Sequence, residues 1–339
     1  MDLSNLKQVL QDEPKFRYEQ VYTAVYRQFI SSWDEAGNIS KKLREELKEN
    51  CPLEIKAELS SSGGKKTIKA GIYFKNGDMV ESVLMRYSGG RNTVCVSTQV
   101  GCSMGCKFCA TGRAGFKRNL SYTEIVQQVL FFERYLKEKE QKVTNVVFMG
   151  MGEPMLNYEQ VMRAIKFLND KDFFNIGSRK ISVSTVGIPE CIKKLYKENI
   201  QVNLAVSLNA ASDTLRNSIM PINKRYDIKR LLKAVSAYID ATGRKVMIEY
   251  VMLADVNDSQ AQANKLADLL KKELGKNFMV NLIEFNPTLG YIGSSAGRIE
   301  RFKDILEKKG IKTVQRYKFG RDIKAACGQL AGERKGPAK

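Results

Sequence analysis

Six short apolar segments, separated by amphipathic stretches, dominate the chain from about residue 92 onward. The stretches between them, such as YTEIVQQVLFFERYLKE, carry apolar residues at helical spacing. Apolar strands that alternate with helices favour a parallel sheet. We therefore predict an α/β fold over residues 92–330, an incomplete TIM-type (β/α)6 barrel, with a doubly wound open sheet as the alternative. The six segments are TVCVSTQ (93–99), VTNVVFM (143–149), KISVST (180–185), VNLAVSL (202–208), KVMIEYVML (245–253) and MVNLIEF (279–285).

The flanking regions have different patterns. Residues 1–50 contain YEQVYTAVYRQFISSW and KKLREELKEN, which predict a small helical accessory domain. Residues 51–91 alternate in strand fashion around turn signals such as SSGGKK and KNGD, which predicts a β-rich connecting element. Residues 331–339 are polar and basic, and we expect a disordered tail.

The balance of charge is strongly basic. Lys and Arg number 56 against 37 acidic residues, a formal net charge of +19, which favours a polyanionic partner. A basic surface that only keeps the protein in solution is the alternative. The N-terminal residues lack the apolar core of a secretory signal, and no apolar run approaches the roughly 20 residues of a membrane span, so we expect a cytoplasmic protein. The absence of histidine excludes a Ser-His-Asp hydrolase and a His-ligated zinc enzyme.

Three cysteines within eight residues, Cys102, Cys106 and Cys109, have the spacing C-x3-C-x2-C. Thiolates suit iron–sulfur clusters and zinc. Three thiolates on a four-iron cluster leave one iron open to an exogenous ligand. A structural zinc site is the alternative, and without histidine its fourth ligand would be a distant cysteine or a carboxylate.

Polar residues stand at the ends of the predicted strands. The cysteine loop follows the first strand, Gly-Met-Gly-Glu-Pro (150–154) follows the second, and Asn286 follows the sixth. Ser184 ends the third strand, and Ser207 lies at the end of the fourth. Because the carboxyl ends of parallel strands share one edge of the sheet, these groups should line a single opening at that edge.

The cysteine spacing, with Phe108 before the last cysteine, resembles the signature of the radical S-adenosylmethionine (SAM) superfamily. Longer stretches resemble the RlmN/Cfr family of RNA adenine methyltransferases, and the resemblance covers nearly the whole chain. It implies a radical SAM barrel, a 4Fe–4S cluster on the three cysteines and an RNA-binding role for the helical accessory domain of residues 1–50. It also implies methylation of an adenine in 23S ribosomal RNA, at the peptidyl-transferase centre. The stretches are CVSTQVGCSMGCKFCATGRAGFKRNL (95–120), FMGMGEPMLNY (148–158), PINKRYDI (221–228) and DIKAACGQLAG (322–332).

The resemblance also assigns the residues that bind SAM. It places Gly152 and Glu153 at the amino group of SAM. Asn209 departs from the family pattern, since relatives commonly carry His there, but an amide can still form hydrogen bonds. The residues assigned to the rest of SAM are Ser184, Ser207, Leu208, Asn209 and Asn286.

Three further residues receive catalytic roles from the resemblance. Cys327 matches the cysteine that takes a methyl group from a first SAM. A radical made from a second SAM then removes hydrogen from this S-methyl group, and the methylene radical adds to the adenine. Cys95 matches the cysteine that releases the adduct by forming a transient disulfide with Cys327, and Glu81 matches the proton acceptor. Without the resemblance, Cys327 would be interpreted as a small buried apolar residue.

The sequence leaves the methylated carbon open. Pro154 is typical of the carbon-2 branch, whereas Phe319-Gly320 is more typical of the carbon-8 branch of the Cfr type, and we favour carbon 2. The resemblance further implies transfer RNA as a second substrate, a flavodoxin-type electron donor, a monomer and no membrane partner. A non-catalytic iron–sulfur or zinc RNA-binding protein is the alternative from another class. Basic residues that could meet phosphates are Lys41, Lys42, Arg44, Arg113, Lys117 and Arg118.

Overall fold

The computed structural model describes residues 1–286, 288, 290–316 and 320–331. Its centre is a ten-stranded sheet, and a separate two-stranded hairpin is formed by β5 and β6. The strands are β1 Ala57–Ser61, β2 Thr67–Tyr73, β3 Met79–Arg86, β4 Asn92–Cys95, β5 Gln99–Gly101, β6 Phe116–Asn119, β7 Asn145–Phe148, β8 Ile181–Thr185, β9 Asn203–Ser207, β10 Val246–Met252, β11 Phe278–Glu284 and β12 Thr313–Gln315.

The sheet has the order β1-β2-β3-β4-β7-β8-β9-β10-β11-β12. Strands β1 to β4 pair antiparallel, and all pairs from β4 to β12 are parallel. The six strands predicted from residue 92 onward are therefore present in chain order, and the α/β prediction is confirmed. Within the described residues β1 and β12 form the two edges, so the sheet is open, as an incomplete barrel requires.

Helices connect the parallel strands, as the amphipathic stretches predicted. Short 3-10 turns lie at Trp33–Glu35, Gly63–Lys65, Pro154–Asn157, Ser178–Lys180 and Pro221–Lys224. The α-helices are α1 Leu6–Val9, α2 Phe16–Tyr26, α3 Lys41–Asn50, α4 Ala110–Ala114, α5 Tyr122–Lys137, α6 Tyr158–Asn169, α7 Pro189–Leu195, α8 Asp213–Ile219, α9 Ile228–Thr242, α10 Gln260–Leu274 and α11 Ala296–Lys308.

Helix α5 shows how the sequence specifies these connections. Ser121 and Glu124 form a capping box at its start, in which each side chain accepts a hydrogen bond from the backbone N–H of the other. One face of the helix is fully buried in the apolar core that it shares with the sheet, through residues such as Ile125, Val129 and Phe132. Capping and a one-sided apolar face together fix where the helix begins and which side packs.

The N-terminal helices pack on the same apolar core as the sheet. Trp33 is buried, and its indole N–H donates to the carbonyl of Cys51 at 2.8 Å. Tyr26 of α2 makes an edge-to-face contact with Phe167 of α6, with ring centroids 4.8 Å apart. The contact between Tyr26 and Phe167 joins residues 1–50 to a helix that connects two strands of the sheet.

Two features differ from the pattern-based expectation. Strands β1 to β3, expected as a connecting element, extend the main sheet through β4. Strand β12 was not predicted, because three residues are too short to show a period.

No helix in the described part of the chain is both long and apolar enough to cross a membrane. Of the predicted tail, residues 332–339 lie outside the described residues.

Candidate active site

A cleft of about 200 Å³ opens at the carboxyl ends of the parallel strands. It collects most of the residues predicted from sequence, although these come from widely separated parts of the chain. Leu208 and Glu81 are not among the residues that line it. The predicted residues that line the cleft are Cys95, Cys102, Cys106, Cys109, Gly152, Glu153, Ser184, Ser207, Asn209, Asn286 and Cys327.

The three-cysteine loop is fixed on both sides by backbone hydrogen bonds. The N–H of Cys102 donates to the carbonyl of Gly115 at 2.7 Å, and the N–H of Lys107 donates to Ile219 at 3.0 Å. Gly101 has a φ of +76°, and a Cβ there would lie 1.9 Å from the Gly115 carbonyl oxygen. Only glycine permits this close approach, which brings the start of the loop onto the β5–β6 hairpin.

The donor set of this loop fits an iron–sulfur cluster. Cys102 and Cys106 are buried, Cys109 is half-buried, and all three are free thiols. No three His, Cys, Asp or Glu side chains in the described residues converge as ligands of one metal ion. A four-iron cluster takes each thiolate on a different iron, so its ligands need not converge. Burial raises the pKa of Cys102 to about 12, and bound metal would displace the proton.

Gly152 and Glu153 line the cleft together with the cysteine loop. Gly152 has a φ of +98°, and a Cβ there would lie 2.6 Å from the Cβ of Gln99, so a side chain is excluded. Glu153 is buried and accepts hydrogen bonds from the N–H groups of Met155 at 3.0 Å and Val186 at 2.9 Å. Burial raises the pKa of this carboxyl group, and a cationic partner in the cleft would stabilise its charged form.

Ser184 and Ser207 converge on one carboxylate, Glu249, which sequence reasoning missed. Their hydroxyl groups donate to Glu249 Oε2 at 2.6 and 3.2 Å. With both protons directed at the carboxylate, the serine oxygens remain available as acceptors for a ligand. Glu249 Oε1 is buried and has no hydrogen-bond partner among the described residues, and it lies 3.6 Å from Nη1 of Arg316. A glutamate inside the apolar strand KVMIEYVML was the sequence signal for it.

Asn209 and Leu208 have mainly structural contacts. Asn209 has a φ of +59°, and its Oδ1 accepts the N–H of Val251 at 2.8 Å. Leu208 is fully buried, and its carbonyl accepts Nε of Arg216 at 3.0 Å. The SAM contacts predicted for these two residues stay predictions.

Asn286 bridges two parts of the C-terminal segment. Its amide Nδ2 donates to the carbonyl of Cys327 at 3.2 Å, and its Oδ1 accepts Nε of Arg321 at 3.0 Å. Asn286 therefore holds the segment that carries Cys327 against the cleft.

The two remote cysteines face the same cleft. Cys95 ends β4 and is buried, whereas Cys327 is solvent-exposed at the cleft. Burial raises the pKa of Cys95 to about 12, and the nearby Arg316 guanidinium opposes this shift. Both residues are free thiols, so the predicted disulfide is not formed in this structure.

Glu81 lies on β3, outside the cleft. Its Oε1 is 2.6 Å from Nζ of Lys69, and its Oε2 accepts the N–H of Ala331 at 2.8 Å. The proton-acceptor role predicted for Glu81 therefore involves a carboxylate that is already in a buried ion pair.

The predicted phosphate contacts near the cysteine loop are partly occupied by acidic partners. Lys117 and Arg118 both pair with the buried carboxylate of Asp78, and Arg118 also pairs with Glu124 at 2.8 Å. These pairs reduce the charge available to a polyanion. Lys41, Lys42 and Arg113 are exposed, and Arg44 donates to the carbonyl of Asp34 at 3.1 Å.

Comparison with known proteins identifies the family. A model of the "Radical SAM superfamily" matches residues 96–267, and a model of the "Ribosomal RNA large subunit methyltransferase N-terminal domain" matches residues 1–53. A relative from Thermotoga neapolitana, "Probable dual-specificity RNA methyltransferase RlmN", is 44% identical over 95% of this chain and 92% of its own length. The chain belongs to the RlmN family of radical SAM enzymes. A relative of the same name from Dictyoglomus turgidum is 41% identical over 97% of this chain and 94% of its own.

A solved structure has the same fold as this RlmN-family chain. The crystal structure of a radical SAM methyltransferase from Sphaerobacter thermophilus matches with a TM-score of 0.91 and 42% identity, covering 98% of each chain. The resemblance inferred from motifs is thus confirmed, and the chain is a radical SAM enzyme. Membership of the radical SAM superfamily implies a 4Fe–4S cluster and SAM, and the thiols and polar groups of the cleft fit both.

Proposed function

We propose that this enzyme methylates carbon 2 of an adenine in 23S ribosomal RNA, at the peptidyl-transferase centre, with transfer RNA as a second substrate. The observation that carries the proposal is the cleft itself. Cys95 and Cys327, 232 positions apart in sequence, line the same cavity as the three-cysteine loop. Relatives named as dual-specificity RNA methyltransferases and the net charge of +19 support an RNA substrate.

The cleft offers separate residues for each bound group. Cys102, Cys106 and Cys109 would hold the 4Fe–4S cluster. When bound, the cluster and SAM would supply an electron, a methyl group and a 5′-deoxyadenosyl radical. The residues proposed to hold SAM are Gly152, Glu153, Ser184, Ser207, Leu208, Asn209 and Asn286.

The two remote thiols perform the transfer. An adenine ring carbon that bears hydrogen is not nucleophilic, so the methyl carbon has to reach it as a radical carried by the protein. Cys327 carries this carbon, since its exposed position lets it face an incoming base. The resulting thioether joins protein and RNA. Before release, the adduct radical has to lose one electron, which the bound cluster would accept, and the ring proton, which Glu81 would take. The Cys95 thiolate then attacks the Cys327 sulfur, so that an S–S bond forms and the S–C bond breaks. The electron pair of that bond stays on the product carbon, which takes up a proton and becomes the methyl group.

Other parts of the proposal come from the family resemblance. Glu81 is the proposed proton acceptor, a flavodoxin-type protein the electron donor, and the cytoplasm the location of a monomeric enzyme. The second hypothesis, a non-catalytic RNA-binding protein, does not explain why Cys95 and Cys327 line the same cleft. Methylation of carbon 8 is distinguished only by the product, because Phe319 lies outside the described residues.

Two variants test the roles of the thiols. Cys327→Ala removes the sulfur that carries the methyl carbon, so neither methylated RNA nor a covalent adduct is expected. Cys95→Ala still forms the adduct but lacks the thiolate that cleaves it, so a protein–RNA complex should accumulate. Denaturing gel electrophoresis with labelled RNA detects this complex, and the double variant serves as the control.

The outcomes separate the alternatives. The absence of a shifted band from a cluster-loaded Cys95→Ala protein would contradict the mechanism. Mass spectrometry of RNA treated with the unaltered enzyme distinguishes 2-methyladenosine from 8-methyladenosine. The second isomer would replace the carbon-2 assignment and leave the chemistry of the two cysteines intact.

A further inference from the structure

The segment that carries Cys327 contains no helix and no strand. This segment, residues 320–331, is called here the Cys327 loop. It reaches the cleft after β12, and it is held there by hydrogen bonds to distant parts of the chain. The N–H of Ala110 donates to Gly328 at 2.8 Å, and the hydroxyl of Thr111 donates to the carbonyl of Leu330. The position of the reactive thiol therefore depends on individual contacts with other elements.

A buried ion pair meets this loop on both sides of Cys327. Lys69 on β2 and Glu81 on β3 lie on neighbouring antiparallel strands, with Nζ 2.6 Å from Oε1. Their side chains are only 11% and 9% exposed. Lys69 Nζ also donates to the carbonyl of Lys324 at 3.3 Å, and Glu81 Oε2 accepts the N–H of Ala331 at 2.8 Å. The two contacts fall three residues before Cys327 and four residues after it.

The ion pair itself is buried, so both of its charges depend on the hydrogen bonds that they make with the loop. A buried charge is costly unless paired and fully hydrogen-bonded, and removing one partner of such a pair leaves the other uncompensated. Hydrogen bonds from a charged group to backbone are also roughly twice as strong as neutral ones. Both loop contacts therefore stabilise the ion pair. In return, the ion pair attaches the loop to the sheet at two positions.

We propose that the Lys69–Glu81 ion pair, called here the clamp, holds the Cys327 loop in place and thereby sets the position of Cys327 at the cleft. Both residues are positioning residues in this proposal, which rests on the proposed role of Cys327 as methyl carrier. The clamp is additional to the proposed proton-acceptor role of Glu81, and a carboxylate that acted only as a base would not hold the loop. The two ideas consequently differ in what they expect of Lys69, and in which chemical step fails first.

Three variants distinguish the clamp from a role of Glu81 as proton acceptor alone. Glu81→Gln and Lys69→Met each remove one charge, whereas Ala331→Pro removes the N–H on the loop, restricts the loop backbone at that position and leaves both charges of the ion pair in place. Glu58→Gln on β1 is the matched control, because Glu58 is an exposed strand glutamate that accepts a hydrogen bond from Tyr73. Lys69→Arg keeps the charge and should behave like the unaltered protein.

The first measurement is amide hydrogen exchange of the Cys327 loop in the anaerobic, cluster-loaded protein. The clamp predicts exchange faster by about tenfold or more in Glu81→Gln, Lys69→Met and Ala331→Pro. It predicts no change in Glu58→Gln or Lys69→Arg. Unchanged exchange of the loop in all three clamp variants would overturn the proposal, whatever their activity.

The second measurement is S-methylation of Cys327 by SAM without RNA, followed by peptide mass spectrometry. This step requires no removal of a ring proton. The clamp predicts slower methylation in both Glu81→Gln and Lys69→Met, whereas a residue that acts only as base predicts normal methylation in both. An unaltered enzyme that never methylates Cys327 would refute the proposed function, while the exchange experiment would still decide whether the clamp exists.

Discussion

Arg216 is fully buried and connects the ends of the two strands that carry Ser184 and Ser207. Desolvation lowers the pKa of its guanidinium group to about 10, so it stays charged at neutral pH. Its hydrogen bonds all go to oxygen atoms of the surrounding backbone or of an amide side chain. They reach Leu208 O at 3.0 Å, Asn223 Oδ1 at 2.9 Å, Tyr226 O at 3.4 Å, Val186 O at 2.6 Å and Ser207 O at 3.3 Å.

We expect Arg216→Lys to be strongly destabilising although it keeps the charge. A lysine ammonium donates three hydrogen bonds from one point, whereas the guanidinium donates from a planar fork. At least two of the five acceptors then lose their donor, and each buried polar group left unsatisfied costs about 1–3 kcal/mol. The free energy of unfolding should therefore fall by about 4 kcal/mol. Because Ser207 and Leu208 are proposed SAM contacts, the Kd for SAM should rise about tenfold or more.

Urea denaturation and equilibrium binding of SAM, both under anaerobic conditions, measure these two effects. The matched control is Arg230→Lys, since Arg230 pairs with Glu190 on the surface and such pairs contribute at most about 1 kcal/mol. If Arg216→Lys and Arg230→Lys lost the same stability, the contribution of the buried network would be refuted. A normal Kd for SAM in a destabilised Arg216→Lys protein would instead remove the link between this network and the SAM site.

Three further predictions concern the cluster, the substrate and the pH dependence. Replacing any one of Cys102, Cys106 or Cys109 by alanine should lower bound iron and abolish SAM cleavage, and full iron content in one variant would exclude that cysteine as a ligand. The logarithm of RNA affinity should fall linearly with the logarithm of salt concentration. An affinity that does not change with salt would show that the basic residues do not bind RNA phosphates. Burial raises the pKa of Glu133 from 4.5 to about 7, so the stability gained from its protonation is complete below pH 4.5 and is lost as pH rises through 7. Urea unfolding across this range should show a shallower decline for Glu133→Gln, and identical slopes would contradict the shifted pKa.

The fold and the cluster loop were predictable because their signals are local. Apolar runs with intervening helical periods predicted the parallel strands in order, and the three cysteines predicted to hold the cluster lie within eight residues. Gly152 likewise belongs to a contiguous motif, and the structure shows why this position is glycine, since Gln99 leaves no room for a side chain. Its contact with SAM stays a prediction.

Contacts that depend on sheet order could not be obtained in this way. Glu249 and Arg316 meet because β10, β11 and β12 are neighbours, and β12 was too short to predict. The pairing of Lys69 with Glu81 likewise requires the antiparallel register of β2 and β3. A single sequence shows that Glu81 lies on a strand, but neither its partner nor its distance from the cleft.

The contact between Glu81 and Ala331 spans 250 residues of sequence, which has a consequence for assembly. The ribosome produces β3 and the three-cysteine loop long before it produces the Cys327 loop. Such long-range contacts form late, because the entropy of closing the intervening chain opposes them. The nascent protein consequently presents an uncovered cysteine loop for a time, and iron–sulfur delivery has its widest access before the C-terminal segment docks.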